Sequence, residues 1–391
     1  MVINKCTKYI IFWVIISVTL CTLFYNFSHY SLVNTQQSCV LSQRPLKYIL
    51  IWTSNATDPM KHLLVEKRTF LNRACPVTNC FVSSDRQLLK GVQNYDVVVF
   101  HGPELITRRN LLLPTSRLPH QKYIFMSMES SDYYPICEPK YNNYFNWTWT
   151  YKINSDSYFG YIVIKDKEGK AIGPKEEMQW EKVENMKPIN DTIKTKISKK
   201  KYAAAWFVSN CNARSGRYGV ARQLEAELAK YNMTVDIFGF CGKKKCPKDN
   251  VEKCMRMIET DYYFYLSFEN SMSADYVTEK LLTALNHYAV PVVFGDANYT
   301  RYMPDGIYLT ITKDTVREVA QNMVNIINDK EQYYEYFKWH NHYTYSDGQD
   351  SPETDPYCNL CLLINDDDKF LRTSVYNNFG EWWNPPRRCP H

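Results

Sequence analysis

The 391-residue chain has little of what would place it in several large functional classes. It has no clear Asp-x-Asp pair at a strand end, the usual holder of a divalent metal under a diphosphate. The nearest candidates are Asn154-Ser-Asp156 and the run Asp366-Asp367-Asp368, and the run sits in an irregular tail where it reads as a solvated turn. Zinc ribbons need two cysteine knuckles at regular spacing. Only Cys358-Asn-Leu-Cys361 has that form here, the other cysteines being scattered. The net charge is +6, yet the excess is concentrated at Lys194–Lys201 and Lys243–Lys245. Neither run is interleaved with aromatics as a nucleic-acid surface would be, which argues against nucleic acid as a partner. Both read as solvated segments, with attraction of a phosphate-bearing ligand the weaker alternative.

What is present begins with Tyr9–Phe27, an uncharged run of 19 residues, close to the roughly 20 that a membrane-spanning helix needs. Lys5 and Lys8 precede it and no basic residue follows until Arg44. The positive-inside rule then leaves residues 1–8 in the cytosol, 9–27 as a signal-anchor and everything beyond in the lumen. A cleaved signal peptide is the rival, but its apolar region is shorter and ends at a small-residue site, neither of which is clear here. Six Asn-x-Ser/Thr sequons suit a lumenal chain. Asn55, Asn190 and Asn232 look most exposed, Asn26 abuts the membrane, and Asn146 and Asn298 fall inside structural motifs. Of 13 cysteines, eleven lie beyond Cys6 and Cys21. An oxidising compartment would pair most of them and leave at least one over, and the partners cannot be read from spacing.

Residues 28–45 are polar and aperiodic and read as a stem. A first α/β unit (46–164) follows, with apolar, β-rich runs at 47–52, 97–100 and 122–128 and helical spacing at 60–73 and 104–112. The segment 165–201 is dense in Lys and Glu and reads as a charged linker or lid, with 175–187 as a candidate solvated helix. A second unit (202–345) alternates strands at 202–208, 235–239, 261–268 and 290–295 with helices at 217–231, 250–259, 276–289, 314–328 and 330–339. Such alternation argues for doubly wound parallel sheets. The tail, 346–391, carries cysteines and reads as irregular.

The most informative stretch is Phe264–Thr300, FYLSFENSMSADYVTEKLLTALNHYAVPVVFGDANYT. It reads as strand, polar turn, helix, strand, with Tyr276, Glu279 and Lys280 on one face of the first helical turn. Val277, Leu281, Ala284, Leu285 and Tyr288 form the opposite, core-facing stripe. Asp275 or Ser273 can cap the helix, whose free N–H groups attract phosphate. A solvated Glu279–Lys280 pair beside a half-buried tyrosine is the plain alternative. FENS, DYVTEKLLTAL and PVVFGDANY resemble the donor-binding signature of the α-1,3-fucosyltransferases (glycosyltransferase family 10). The resemblance spans about Lys47–Pro390, strongest over 202–310.

The resemblance implies a GT-B-like fold, two Rossmann-like domains facing a cleft behind an N-terminal transmembrane helix. It implies an inverting enzyme moving L-fucose from GDP-fucose to O3 of N-acetylglucosamine. Within SNCNARSGRYGVARQLEAEL (209–228), similar to the family's second donor motif, Arg217 would meet the phosphates together with Lys280, with Arg214 as the less favoured substitute. Glu279 would accept bonds from sugar hydroxyls, Tyr276 would bracket the nucleotide and Asn270 would orient the loop, while Glu269 reads as a structural strand-end residue. FMSMESS (125–131) is similar to the family's Met-Glu-Ser motif and makes Glu129 the catalytic base, although Ser131 stands where a proline is usual. The alternative for Glu129 is a strand-end cap. YFNWT and the following Ser-Asp within 144–156 also match; Trp147, Trp149 and Tyr151 there line the acceptor or pack the domain base.

CGKKKCP (241–247), the CNLC pair and Trp382-Trp383 with Cys389 look most like the invertebrate and plant branch acting on the N-glycan core. The expected protein is thus a single-pass type II Golgi membrane enzyme acting on N-glycans of glycoproteins. It would require no cofactor, a divalent cation such as Mn2+ being at most stimulatory. Fucosylation of outer Galβ-GlcNAc antennae, giving Lewis-type products, is the first alternative. A catalytically silent lumenal glycan-binding protein is the second.

Overall fold

The computed structural model describes residues 45–389, apart from 55, 57, 109, 110, 247–249 and 387. The expected tail, signal-anchor and stem (1–8, 9–27 and 28–44), the sequon Asn55 and Cys39 lie outside the described residues. Among the described residues no helix is long and apolar enough to cross a membrane.

The first unit is built on β1 (Lys47–Ile51), β2 (Cys80–Ser83), β3 (Val97–His101), β4 (Lys122–Ser127), β5 (Trp147–Thr150) and β6 (Ser157–Tyr158). They pair in the order β2-β1-β3-β4-β5-β6, every pair parallel. Strands covered on both faces must be apolar throughout, and β3 and β4 are buried at every position. The expected helix over 60–73 is broken in two, a 3-10 turn at Met60–His62 and a short helix at Arg68–Asn72. Between them Glu66 turns left-handed, at φ 61°, and bridges Val82 instead.

The second sheet holds β9 (Tyr202–Phe207), β10 (Val235–Phe238), β11 (Tyr262–Phe268), β12 (Val290–Phe294) and β13 (Leu309–Thr310), following β7 (Val163–Asp166) and β8 (Ala171–Gly173) in the chain. Its order is β10-β9-β11-β12-β13, again parallel throughout. Helices Arg217–Ala229 and Val316–Asn328 bury Leu224, Leu228, Val319 and Met323 in its core.

Two expectations are corrected. The segment 165–201 is folded rather than a bare linker: β7 and β8 join β14 (Tyr343–Ser346) in an antiparallel sheet, and Asp191–Ile197 is a helix. Residues 175–187 hold only a 3-10 turn at Val183–Asn185. The tail is helical, at Pro356–Ile364, Asp367–Leu371 and Phe379–Trp383. It returns to the first unit, where Phe125 packs against Phe379 and Trp383, both at 4.8 Å. Disulfides Cys75–Cys358, Cys80–Cys361 and Cys137–Cys389 bind it there. Cys211–Cys241 and Cys246–Cys254 pair within the second unit, so all ten described cysteines are bonded and Cys358 and Cys361 do not bond each other.

Candidate active site

Ligands of open parallel sheets gather beyond the carboxyl ends of the strands, and β4 runs out at such an end into Met128-Glu129-Ser130-Ser131-Asp132. Glu129 is half-buried there. Burial pushes its carboxyl above the usual range; the Lys280 cation and a hydrogen bond from the Tyr276 phenol pull the other way, and Glu279 adds to the rise. Tyr161 donates to the Met128 carbonyl at 2.9 Å and steadies the turn.

The opposite wall comes from the second sheet. The loop after β9 ends at Gly216, which adopts φ 70° and lets the helix begin at Arg217; such backbone suits glycine. Arg217 is only 5% exposed. Its guanidinium donates to the Phe268 carbonyl at 2.7 Å and the Asn210 carbonyl at 3.4 Å. Its Nε and the Asn270 Oδ1 are buried with no protein partner. An unmatched buried polar atom costs about 1–3 kcal/mol, so this donor and acceptor both call for something polar in the crevice. Arg214 is committed elsewhere, donating to the Asp132 carbonyl at 2.6 Å over the Tyr133 ring.

At the end of β11, Glu269 is 1% exposed. It accepts from the Thr278 N–H at 2.9 Å and the Thr278 hydroxyl at 3.0 Å, and pairs with Lys280 at 3.3 Å. Lys280 also donates to the Thr278 hydroxyl at 2.6 Å and to Glu279 at 3.0 Å. Desolvation pulls the Lys280 ammonium down, but Glu269 and Glu279 more than offset it, so its pKa is raised. Partial desolvation works against the charge of Glu279, whose side chain is nevertheless largely exposed, and Lys280 wins, holding that carboxyl below its usual range. Glu269 stays above the usual range because burial outweighs Lys280 and the Thr278 bonds. The strand-end reading of Glu269 missed this role as the counter-ion that orients Lys280.

Tyr276 needs correction. The helix starts at Glu279 with Thr278 as its cap, because Asp275 takes φ 60° and turns the chain away. Tyr276 therefore does not share the helix face of Glu279 and Lys280. It is 3% exposed and meets the first unit's Tyr151 and Tyr161 edge-on, at 5.1 and 6.2 Å. Neither expected cap serves this helix: the Ser273 hydroxyl accepts from the Asp132 N–H at 3.1 Å and Asp275 pairs with Arg301 at 2.8 Å. With Glu269 on the Thr278 N–H, the helix start already faces an anion. A diphosphate here would meet side-chain cations rather than that terminus.

The two walls feel each other's charges. Glu129 feels the charges of Lys280 and Glu279, and Arg217 feels Glu269, Tyr133, Tyr276 and Glu279. The walls are joined by Ser130–Ser271, by Ser131–Ser273 at 3.4 Å and by the Asp132 N–H on the Ser273 hydroxyl at 3.1 Å, while the Ser131 N–H bonds the Tyr151 hydroxyl of its own unit at 3.0 Å. Polar residues at 130, 131, 271 and 273 beside the two motifs were the only hint of this ladder in the sequence. Trp147 and Trp149 are packing residues, 3% and 1% exposed. Asp156 is held by Thr148 and Tyr376, and Asp366 caps its own helix. Among the described residues no three His, Cys, Asp or Glu side chains are grouped to hold a metal ion. Asn190, capping the helix Asp191–Ile197, and Asn232, at φ 55°, are both exposed. Asn146 is engaged by Arg117 and Tyr123.

Comparison with known proteins gives the family. The family descriptions "Fucosyltransferase, N-terminal" and "Glycosyltransferase family 10 (fucosyltransferase) C-term" match residues 44–162 and 197–382. The chain is 36% identical over 321 residues to "Alpha-(1,3)-fucosyltransferase C" of Drosophila melanogaster, covering 79% of this chain and 70% of that protein. It is 29% identical over 356 residues to "Glycoprotein 3-alpha-L-fucosyltransferase A" of the same organism, covering 90% of this chain and 63% of that one. A solved structure, "Crystal Structure of alpha1,3-Fucosyltransferase with GDP-fucose", is similar with TM-score 0.49 and 15% identity, over 85% of this chain and 93% of that one. The chain belongs to glycosyltransferase family 10, the α-1,3-fucosyltransferases, and is a glycosyltransferase.

Proposed function

We propose that the protein is an inverting enzyme moving L-fucose from GDP-β-L-fucose to O3 of N-acetylglucosamine, the innermost one of N-glycans on glycoproteins. The reading rests on one observation: Glu129 lies within reach of the Lys280 and Glu279 charges and Arg217 within reach of Glu279, while Arg217 Nε and Asn270 Oδ1 are buried with no protein partner. Glu129 takes the proton of the acceptor hydroxyl as the new O3–C1 bond forms and the bond from C1 to the phosphate oxygen breaks. Charge grows on the departing GDP, where Arg217 and Lys280 stabilise it. Lys280 is freed for this by Glu279, whose side chain is 64% exposed and can turn to the sugar hydroxyls. The diphosphate is held by protein cations, a divalent ion such as Mn2+ being stimulatory at most.

Further parts of the proposal are anchoring of the chain in a Golgi membrane through 9–27 and use of Asn55, Asn190 and Asn232 as glycan sites. A glycoprotein acceptor is supported by the name of the 29%-identical relative. The test supplies GDP-fucose with a core-exposed N-glycan and with a Galβ-GlcNAc antenna, then maps the linkage. Labelling of antennae alone would sink the core assignment. Glu129→Gln should retain GDP-fucose binding and lose transfer by about 10²–10⁴-fold. Because Glu129 must be ionised and burial raises its pKa, wild-type kcat/KM should fall on its acid side at a pH above the ordinary glutamate value of about 4.3. Full transfer by Glu129→Gln would remove that residue from the reaction.

A further inference from the structure

Asp132, three residues beyond the proposed base, is gripped from three directions. Its N–H donates to the Ser273 hydroxyl at 3.1 Å and its carbonyl accepts from Arg214 at 2.6 Å, both residues of the second unit. The same carbonyl accepts from the C-terminal tail, through Arg388 Nε at 3.1 Å and the adjoining guanidinium nitrogen at 2.9 Å. Arg388 Nε also lies 3.1 Å from the Asp132 carboxylate. Next to Arg388, Cys389 is bonded to Cys137, so the guanidinium is delivered by a covalently fixed strap. The strap is held further upstream, where the Trp383 indole donates to the Tyr134 carbonyl at 2.8 Å and the Asn384 side chain bonds both backbone groups of Ile136. Tyr134 in turn donates its N–H to the Ser130 carbonyl at 3.0 Å. The far end of the turn that begins at Glu129 is thus fastened to the tail, and the Tyr134–Ser130 bond ties that end back to the Glu129 side.

We propose that Arg388 is a positioning residue for transfer: with Arg214 it pins Asp132 and so holds the Glu129 turn at the acceptor hydroxyl. This deepens the fucosyltransferase reading and rests on it. A planar guanidinium suits the task because it donates in a fork, whereas an ammonium is a single point. A base misplaced by about 1 Å loses on the order of 10²-fold in rate, while the phosphate contacts of Arg217 and Lys280 lie on the other wall and are untouched. The groups facing Glu129 are Lys280, Glu279, Tyr276, Tyr161 and Tyr134. A loosened turn would move it out of their company and toward water.

The test compares full-length wild type with Arg388→Ala and Arg388→Lys, measuring kcat, acceptor KM, GDP-fucose affinity by calorimetry, the pH profile of kcat/KM and the melting temperature. The expected result for Arg388→Ala is a kcat loss of about 10–100-fold with GDP-fucose affinity within about twofold. The acid limb should move to lower pH as Glu129 becomes solvated, and Arg388→Lys should recover part of kcat. Wild-type kcat in Arg388→Ala would overturn the proposal. So would a kcat loss with an unmoved acid limb, or one that only follows a fall in melting temperature. If Arg388→Ala is not produced folded, Arg388→Lys is judged by the same kcat and pH-limb criteria. A wild-type protein that transfers no fucose would instead sink the functional reading, and this inference with it.

Discussion

Replacing Lys280 with Met tests how the donor wall is built, apart from any question of acceptor. The methionine fills most of the stem volume but withdraws the cation from Glu269, which is 1% exposed and keeps only its Thr278 bonds. Breaking a buried pair by removing one partner costs about 3–5 kcal/mol. At roughly 2–4 °C per kcal/mol in domains of this size, the melting temperature should fall by about 6–20 °C. Glu269 has a folded-state pKa raised by burial even with Lys280 present, and losing Lys280 raises it further. A carboxyl whose pKa is higher folded than unfolded destabilises the protein fully above the folded value, and that penalty lifts as pH drops toward the ordinary carboxyl range. The deficit of Lys280→Met against wild type should therefore be greatest near about pH 8 and shrink toward about pH 5. The double variant Glu269→Gln, Lys280→Met removes both charges of this pair and should recover most of the stability while still binding GDP weakly. Thermal melts at the two pH values with a GDP titration read all of this. A single variant within about 1 kcal/mol of wild type, or a double no more stable than the single, would refute the counter-ion role of Glu269.

Three further outcomes follow from the same geometry. Ser131→Pro, which restores the residue usual in the family, removes an N–H bonded to Tyr151 and a hydroxyl bonded to Ser273; it should cost about 1–2 kcal/mol, and a variant as stable as wild type in thermal melts would contradict the ladder. The disulfides Cys75–Cys358 and Cys80–Cys361 cross, with neighbouring ends, so losing either alone opens only a loop of about ten residues and should cost about 2–3 kcal/mol. Losing both, with Cys137–Cys389 still in place, opens a loop of roughly 90 residues and should cost about 4–5 kcal/mol more, so denaturant midpoints showing additive single losses would count against it.

Much of the fold was legible because parallel strands covered on both faces must be written as continuous apolar runs, as in VVVF at 97–100 and YAAAWF at 202–207. The third sheet was not, since its strand VIKD is short and half-buried and its partner YTYS stands about 180 residues downstream. Glu129, Arg217, Glu279 and Lys280 were picked out through motifs, and the Lys280 and Glu279 charges reach Glu129 while that of Glu279 reaches Arg217. Tyr276 was misplaced because helical spacing continues back through it, while the left-handed turn at Asp275 that detaches it comes from tertiary pairing with Arg301. The grip on Asp132 by Arg214 and Arg388 depends on residues 82 and 256 positions away, which no local pattern encodes.

The return of the tail gives the protein an order of assembly. The half bearing Glu129 is made from residues 45–162 together with the last thirty or so, and the nucleotide-side half is in effect an insertion between them. On a ribosome the inserted half can fold as it emerges, whereas the earlier half stays unfinished until Cys358, Cys361 and Cys389 have been synthesised. Loss of a few residues from the carboxyl end should therefore be felt by the part of the molecule synthesised first.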